Sequence, residues 1–211
     1  MKNGRLITVE GIEGAGKSTH IESICEALRA REINVVATRE PGGTPVGEKL
    51  RDLLLSDRCG KITAEAELLL MFAARAEHIA TVVRPALAAG TWVVSDRFTD
   101  ASYAYQGGGR GCSRELLDAL SDAVCGDIRP DLTFLLDLKP EEAGERVVAR
   151  GAAKDRFETE SGEFFSRVRD AHLALAAADP ARWRVIPAQH EMAQVKTLII
   201  QALETLLEDA I

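Results

Sequence analysis

"GIEGAGKST", Gly11 to Thr19, is the stretch whose reading decides the fold. It follows the apolar run "RLITVE" and precedes a segment with helical periodicity, so the local pattern is strand, glycine turn, helix. Gly, four residues, then Gly-Lys-Ser is the phosphate-binding pattern in the context it requires. Glycines let the backbone wrap an anion, and the following helix adds the partial positive charge of its free N–H groups. Gly11, Ile12, Glu13, Gly14, Ala15, Gly16, Lys17, Ser18 and Thr19 are therefore a candidate nucleoside triphosphate site. Lys17 is placed to reach the β- and γ-phosphates and the Ser18 hydroxyl to bind Mg²⁺. The loop alone leaves open whether the phosphate is hydrolysed, held or handed to a second substrate.

Outward from the loop, short β-branched runs alternate with helical patterns. Leu6–Val9, Asn34–Thr38, Trp92–Ser95, Leu132–Asp137 and Trp183–Ile186 read as strands. Helices are expected over 18–31, 47–55, 64–89, 114–124, 141–150, 163–178 and 192–207. Continuously apolar strands separated by helices imply a parallel sheet covered on both faces. Right-handed crossovers then give a three-layer α/β architecture, one domain over residues 1–211. "QGGGRG" at 106–111 and "RGAAKDRFE" at 150–158 are loop candidates.

The composition narrows the classes. The chain has 211 residues, 46% of them hydrophobic and 28% charged, in the range of a globular protein. A net charge of -7 argues against a nucleic-acid coat or a basic membrane-surface protein. No apolar run is long enough for a transmembrane span, and the opening "MKNGRLITVEG" carries no signal-peptide pattern, so a cytoplasmic protein is expected. Cys25, Cys59, Cys112 and Cys125 lack metal or disulfide spacing and read as reduced thiols.

Other motifs gather where chemistry is expected. "VVSDR" puts Asp96 at the C-terminal end of a buried strand, the edge where open α/β sheets bind ligands, as a candidate for holding Mg²⁺. Arg97 beside it can meet a phosphate with its planar fork. "TREPGG" places Arg39 at the same edge, either as a second phosphate fork or as a solvated loop charge. Phe72 and Arg75 lie three apart on one helix face. They form either a core aromatic with a snorkelling neighbour or a base pocket, with a ring to stack and a guanidinium to meet a carbonyl. Ser102, Tyr105 and Gln106 precede the glycine run as polar helix-end residues or as a base edge reader. Arg150, Lys154 and Arg156 form either a solvated charge run or a closing lid for phosphoryl transfer.

Taken together, "EGIEGAGKST", "TREPGGT", "LLLMFAAR", "VVSDRF", "AYQGGGRG", "RPDLTFLLDLKPE" and "DRFE" resemble the bacterial thymidylate kinase family along nearly the whole chain. The resemblance implies a P-loop nucleoside monophosphate kinase fold and transfer of the γ-phosphoryl of ATP to dTMP with Mg²⁺, usually in a homodimer. It implies ATP at Gly11–Thr19 and the dTMP sugar near Glu13. It assigns the dTMP phosphate to Arg39 and Arg97, thymine to Phe72 and Arg75, and the nucleoside pocket to Ser102, Tyr105 and Gln106. Within the family the catalytic arginine sits in the phosphate loop or in the lid. No arginine stands in this loop, so the resemblance puts that charge on Arg150, Lys154 and Arg156, beside Lys17 and Arg97. Ala101, Phe98 and Pro187 stand where relatives often carry Ser, Tyr or His, and Asp. Rivals that share the loop are a kinase with another monophosphate acceptor, a deoxynucleoside kinase and a nucleotide-binding switch.

Overall fold

The computed structural model describes residues 4–56, 60–149, 151 and 155–208. Five strands form one parallel sheet: β1 (Leu6–Glu10), β2 (Val35–Arg39), β3 (Trp92–Asp96), β4 (Leu132–Asp137) and β5 (Trp183–Pro187), in the order β2-β3-β1-β4-β5. The expected parallel sheet covered by helices is the observed one. Alternation of side chains across a strand explains the layering. Leu6 and Val93 enter one apolar cluster, while Ile7, Val9 and Val94 enter another on the opposite face. Ile24, Leu28 and Phe134 have no exposed surface in the second of these. Each such side chain removed from water contributes about 1.5–3 kcal/mol.

The connecting helices are α1 (Lys17–Arg29), α2 (Pro45–Leu55), α3 (Ala64–His78), α4 (Arg84–Ala88), α5 (Thr99–Ser102), α6 (Arg114–Cys125), α7 (Pro140–Ala149), α8 (Gly162–Ala178) and α9 (Met192–Glu208). Four of these starts follow side-chain capping. Thr44, Thr63, Ser113 and Ser161 each accept a hydrogen bond from a first-turn amide. α1 differs from these four: its cap is Gly16 at φ 89°, with no side-chain acceptor. The first-turn amides of α1 therefore stay open to an anion.

Two expectations need correction. The helix expected over 64–89 is not regular. It passes through a π-helical turn at Ile79–Val83, where the Arg84 N–H donates to the Ile79 carbonyl, before α4 begins. Pro85 supplies the reason, because it lacks an N–H and its ring crowds the turn before it. The glycine run expected as a loop is also helical: α5 continues into a π-helical turn over Tyr103–Gly109. Packing outweighs glycine's low helix propensity there. A Cβ at Gly108 would stand 2.7 Å from the Ala171 Cβ, and one at Gly109 2.5 Å from the Phe164 ring, so only glycine lets this turn lie against α8.

Candidate active site

The carboxyl ends of β1, β2 and β3 form one row. Val9 and Arg39 both pair with Asp96 in the sheet register. Above that row opens a cavity of about 730 Å³. Glu13, Gly14, Gly16, Lys17, Ser18 and Thr19 line one side. Arg39, Arg75, Asp96, Arg97, Ser102, Tyr105 and Gln106 line the other. A smaller cavity of about 330 Å³ adjoins it, bounded by Gly14, Ala15, Gly16, Arg146 and the 188–192 turn after β5.

Lys17 is folded onto its own loop. Its Nζ donates to the carbonyls of Gly11 and Ile12, each at 3.1 Å. Burial, with Arg97 nearby, lowers its amine below the ordinary lysine value. Arg97 reaches the same Gly11 carbonyl at 3.0 Å, and its other nitrogen donates to Glu13 Oε1 at 2.8 Å and Tyr105 Oη at 2.9 Å. Tyr105 donates to Glu13 Oε2 at 2.7 Å. Burial pushes the Glu13 carboxyl upward, but Arg97, Lys17 and the tyrosine hydroxyl outweigh it and hold the group below the usual carboxylate range. Burial and Glu13 raise the Tyr105 hydroxyl well above an ordinary tyrosine, so it stays a proton donor.

Arg97 has φ 70°, in the left-handed region, which costs a non-glycine residue on the order of 1–2 kcal/mol. Three bonds hold it there. Its N–H donates to the Val9 carbonyl, its carbonyl accepts from Ser95, and the next amide, of Phe98, donates to Glu10 Oε1 at 2.9 Å. Glu10 is fully buried. A fixed backbone kink thus aims the Arg97 guanidinium across the glycine loop.

Arg75 is equally constrained. Nε donates to Glu40 Oε2 at 2.7 Å, Nη1 to Ser102 at 3.0 Å and Nη2 to the Phe98 carbonyl at 3.0 Å. Glu40 in turn accepts from His78 Nδ1 at 2.8 Å, and His78 Nε2 meets Thr38 Oγ1 at 2.7 Å. The Phe72 ring lies 4.5 Å from the Arg75 guanidinium, buried behind it and not on the cavity wall. Arg39 is exposed and pairs with Glu48 at 2.8 Å. Arg156 does not line the cavity: it donates to Glu67 at 2.6 Å and to the Leu54 carbonyl at 2.7 Å. Arg150 and Lys154 lie outside the described residues.

Several cavity residues had no signal in the sequence. Arg51, bonded to the Pro41 carbonyl at 2.9 Å, adds a cation. Asp155, quoted within "DRFE" but given no role there, adds a carboxyl that burial raises. Arg146 joins the two cavities, donating to the Ala188 carbonyl at 3.0 Å. Glu10 and Glu40 stood inside quoted motifs, but their roles depend on partners about 88 and 35 positions away along the chain. Among the described residues no helix is long and apolar enough to cross a membrane, and Cys25, Cys112 and Cys125 are free thiols.

A glycine loop with open helix amides, at the carboxyl edge of a parallel sheet and facing a second wall of arginines, defines a P-loop nucleotide kinase. The Thymidylate kinase family model matches residues 9–199. The chain is 54% identical to the thymidylate kinase of Methylobacillus flagellatus over 200 residues, covering 95% of this chain and 97% of that one. It is 53% identical to that of Cupriavidus necator over 205 residues, covering 96% and 99%. The crystal structure of thymidylate kinase from Ehrlichia chaffeensis superposes with a TM-score of 0.77 at 34% identity, covering 95% of this chain and 99% of that one. The chain belongs to the thymidylate kinase family, and its fold is the P-loop nucleoside monophosphate kinase fold. The reaction of that family, transfer of the γ-phosphoryl of ATP to dTMP to give dTDP for DNA synthesis, is the reaction of this chain.

Proposed function

We propose that the larger cavity holds the two phosphate chains end to end, with ATP over Gly11–Thr19 and dTMP against Arg39, Arg75 and Arg97. The observation that carries this reading is the continuity of the cavity, which runs from Lys17 on the donor side to Ser102 and Gln106 on the acceptor side. The smaller cavity beside Arg146 has the position and size for the donor's base. Glu13 and Tyr105, bonded to each other, lie where the acceptor sugar would pass.

The dTMP phosphate oxygen is already a nucleophile, so the protein's work is alignment and charge neutralisation. On binding, Lys17 exchanges its two loop carbonyls for phosphate oxygens. Arg97, pinned by Glu10 through Phe98, supplies charge between donor and acceptor. Arg75 donates to a base carbonyl from a guanidinium already fixed by Glu40. Arg150 and Lys154, in a lid over about 150–160, bring charge over the transferred group, while Arg156 seats that lid on Glu67.

Mg²⁺ fits this site. Asp96 Oδ1 is buried and lacks a hydrogen-bond partner, and the Ser18 hydroxyl lines the same cavity. Hard oxygen donors of this kind, few in number, suit an ion that keeps several waters and phosphate oxygens. When bound, it would neutralise phosphate charge.

A homodimer belongs to the same proposal. Val46 and Leu53 on α2 and Leu69 on the adjoining α3 leave large apolar side chains exposed. A cytoplasmic setting follows from substrates drawn from the nucleotide pool.

The test is ADP release from ATP with dTMP, with dUMP or without acceptor. Release that requires dTMP and Mg²⁺ supports the reading. An Arg97→Ala variant with kcat and the KM for dTMP both unchanged overturns it.

A further inference from the structure

Glu67 lies outside the cavity, yet its carboxylate ties three parts of the chain together. It sits in the first turn of α3 with no exposed surface. Oε1 accepts from Gln106 Nε2 at 2.8 Å and from Arg110 Nε at 3.2 Å. Oε2 accepts from Arg156 Nη2 at 2.6 Å. Arg110 also pairs with Glu160 at 2.6 Å. Thus α3, the π-helical turn over 103–109 and the 155–160 segment meet on one buried group. Aromatic rings shield it: Phe164 lies 4.7 Å from the Arg110 guanidinium, and Phe157 4.6 Å from that of Arg156.

Gln106 is the arm that reaches the cavity. An ionised carboxylate only accepts, so the glutamine amide must turn its NH₂ toward Glu67. Its carbonyl oxygen is then the atom left for a ligand. A carbonyl at that point accepts from an imide N–H, as in thymine or uracil. It repels the unprotonated ring nitrogen that cytosine presents at the same place.

We propose that Glu67 is a positioning residue that sets acceptor-base selectivity by orienting the Gln106 amide, and that it couples this pocket to the 155–160 segment through Arg156. The proposal rests on the dTMP reading above. Removing the Glu67 charge frees the Gln106 amide to rotate. Removing Arg156 leaves one oxygen of a buried carboxylate unpaired, and the disturbance passes to Gln106 through the same group.

The experiment uses full-length enzyme with ATP and Mg²⁺, measuring kcat and KM for dTMP and dCMP in wild type, Glu67→Gln and Arg156→Gln. In Glu67→Gln the dTMP-to-dCMP ratio of kcat/KM falls by at least about tenfold, the scale of one mismatched buried hydrogen bond. A merely structural Glu67 would weaken both substrates alike and leave the ratio unchanged, which overturns the proposal. In Arg156→Gln the KM for dTMP rises at least about fivefold and the ratio falls with it, because the partners act as one network. A drop in kcat with KM and ratio unchanged would instead put Arg156 on the transferred phosphoryl and refute the coupling. Should Glu67→Gln fail to fold, the Arg156→Gln result decides alone. A wild-type enzyme inactive on dTMP would defeat the underlying reading and is distinct from either outcome.

Discussion

Replacing Glu40 with glutamine isolates the buried pair that orients Arg75. Both side chains are nearly inaccessible, at 3% exposure for Arg75 and 4% for Glu40. The substitution keeps the volume and one carbonyl acceptor but removes the negative charge beside a buried guanidinium. Breaking such a pair from one side costs about 3–5 kcal/mol. The retained acceptor, together with the Phe72 and Phe98 rings 4.5 and 5.8 Å from the guanidinium, offsets part of that. A net loss of about 2–4 kcal/mol remains, which for a chain of this length lowers Tm by about 5–15 °C. His78, whose Nδ1 faces the carboxylate, loses its better acceptor as well. In the kinetics, Arg75 is no longer held at its Nε, so the KM for dTMP should rise about tenfold or more while kcat changes less. Thermal melts with and without saturating dTMP, plus steady-state ADP release, measure both effects. Saturating dTMP should raise the variant's Tm less than the wild type's, because ligand stabilisation follows affinity. A Tm within about 2 °C of wild type and a KM within about twofold would refute the claim that Glu40 positions Arg75.

Other substitutions probe separate parts of the site. Lys17→Met should lower kcat about 10²-fold or more in the ADP-release assay while leaving Tm unchanged or higher, because Lys17 is buried and bonded only to loop carbonyls. Glu13 has a native pKa below its unfolded value near 4.5, so its stabilising contribution is present above that value and is lost as pH falls through the lower native one. Wild type should therefore lose more Tm between pH 6 and pH 3 than Glu13→Gln does, and equal losses would contradict the Arg97–Glu13 pairing. Gly109→Ala should cost about 1–3 kcal/mol, seen as a Tm drop of several degrees, because the added methyl meets the Phe164 ring at 2.5 Å.

Much of the catalytic side was legible in the chain. The phosphate loop depends on glycines and a lysine at local spacing, Asp96 and Arg39 each end a strand, and Arg97 follows one. Such signals survive in sequence because the backbone geometry they need is set within a few residues. The glycine run at 106–111 misled for the opposite reason. Its local propensity points to a loop, whereas contact with α8, about 60 positions on, makes it a helical turn. The apolar period of 64–89 hid the π turn because Pro85 acts on backbone bonds that side-chain periodicity does not report.

By itself the sequence determined that the chain binds a triphosphate on a parallel sheet and carries basic residues at the sheet's carboxyl edge. Those features follow from residue type, local spacing and strand period. Only the tertiary structure decided which charges are committed and which face the cavity. Arg75 is locked by Glu40, Arg97 is kinked over the loop by Glu10, and Arg156 is tied to Glu67 away from the cavity. A carboxylate's role depends on the cation it meets and the water it loses, and both are set by chain segments that only folding brings together.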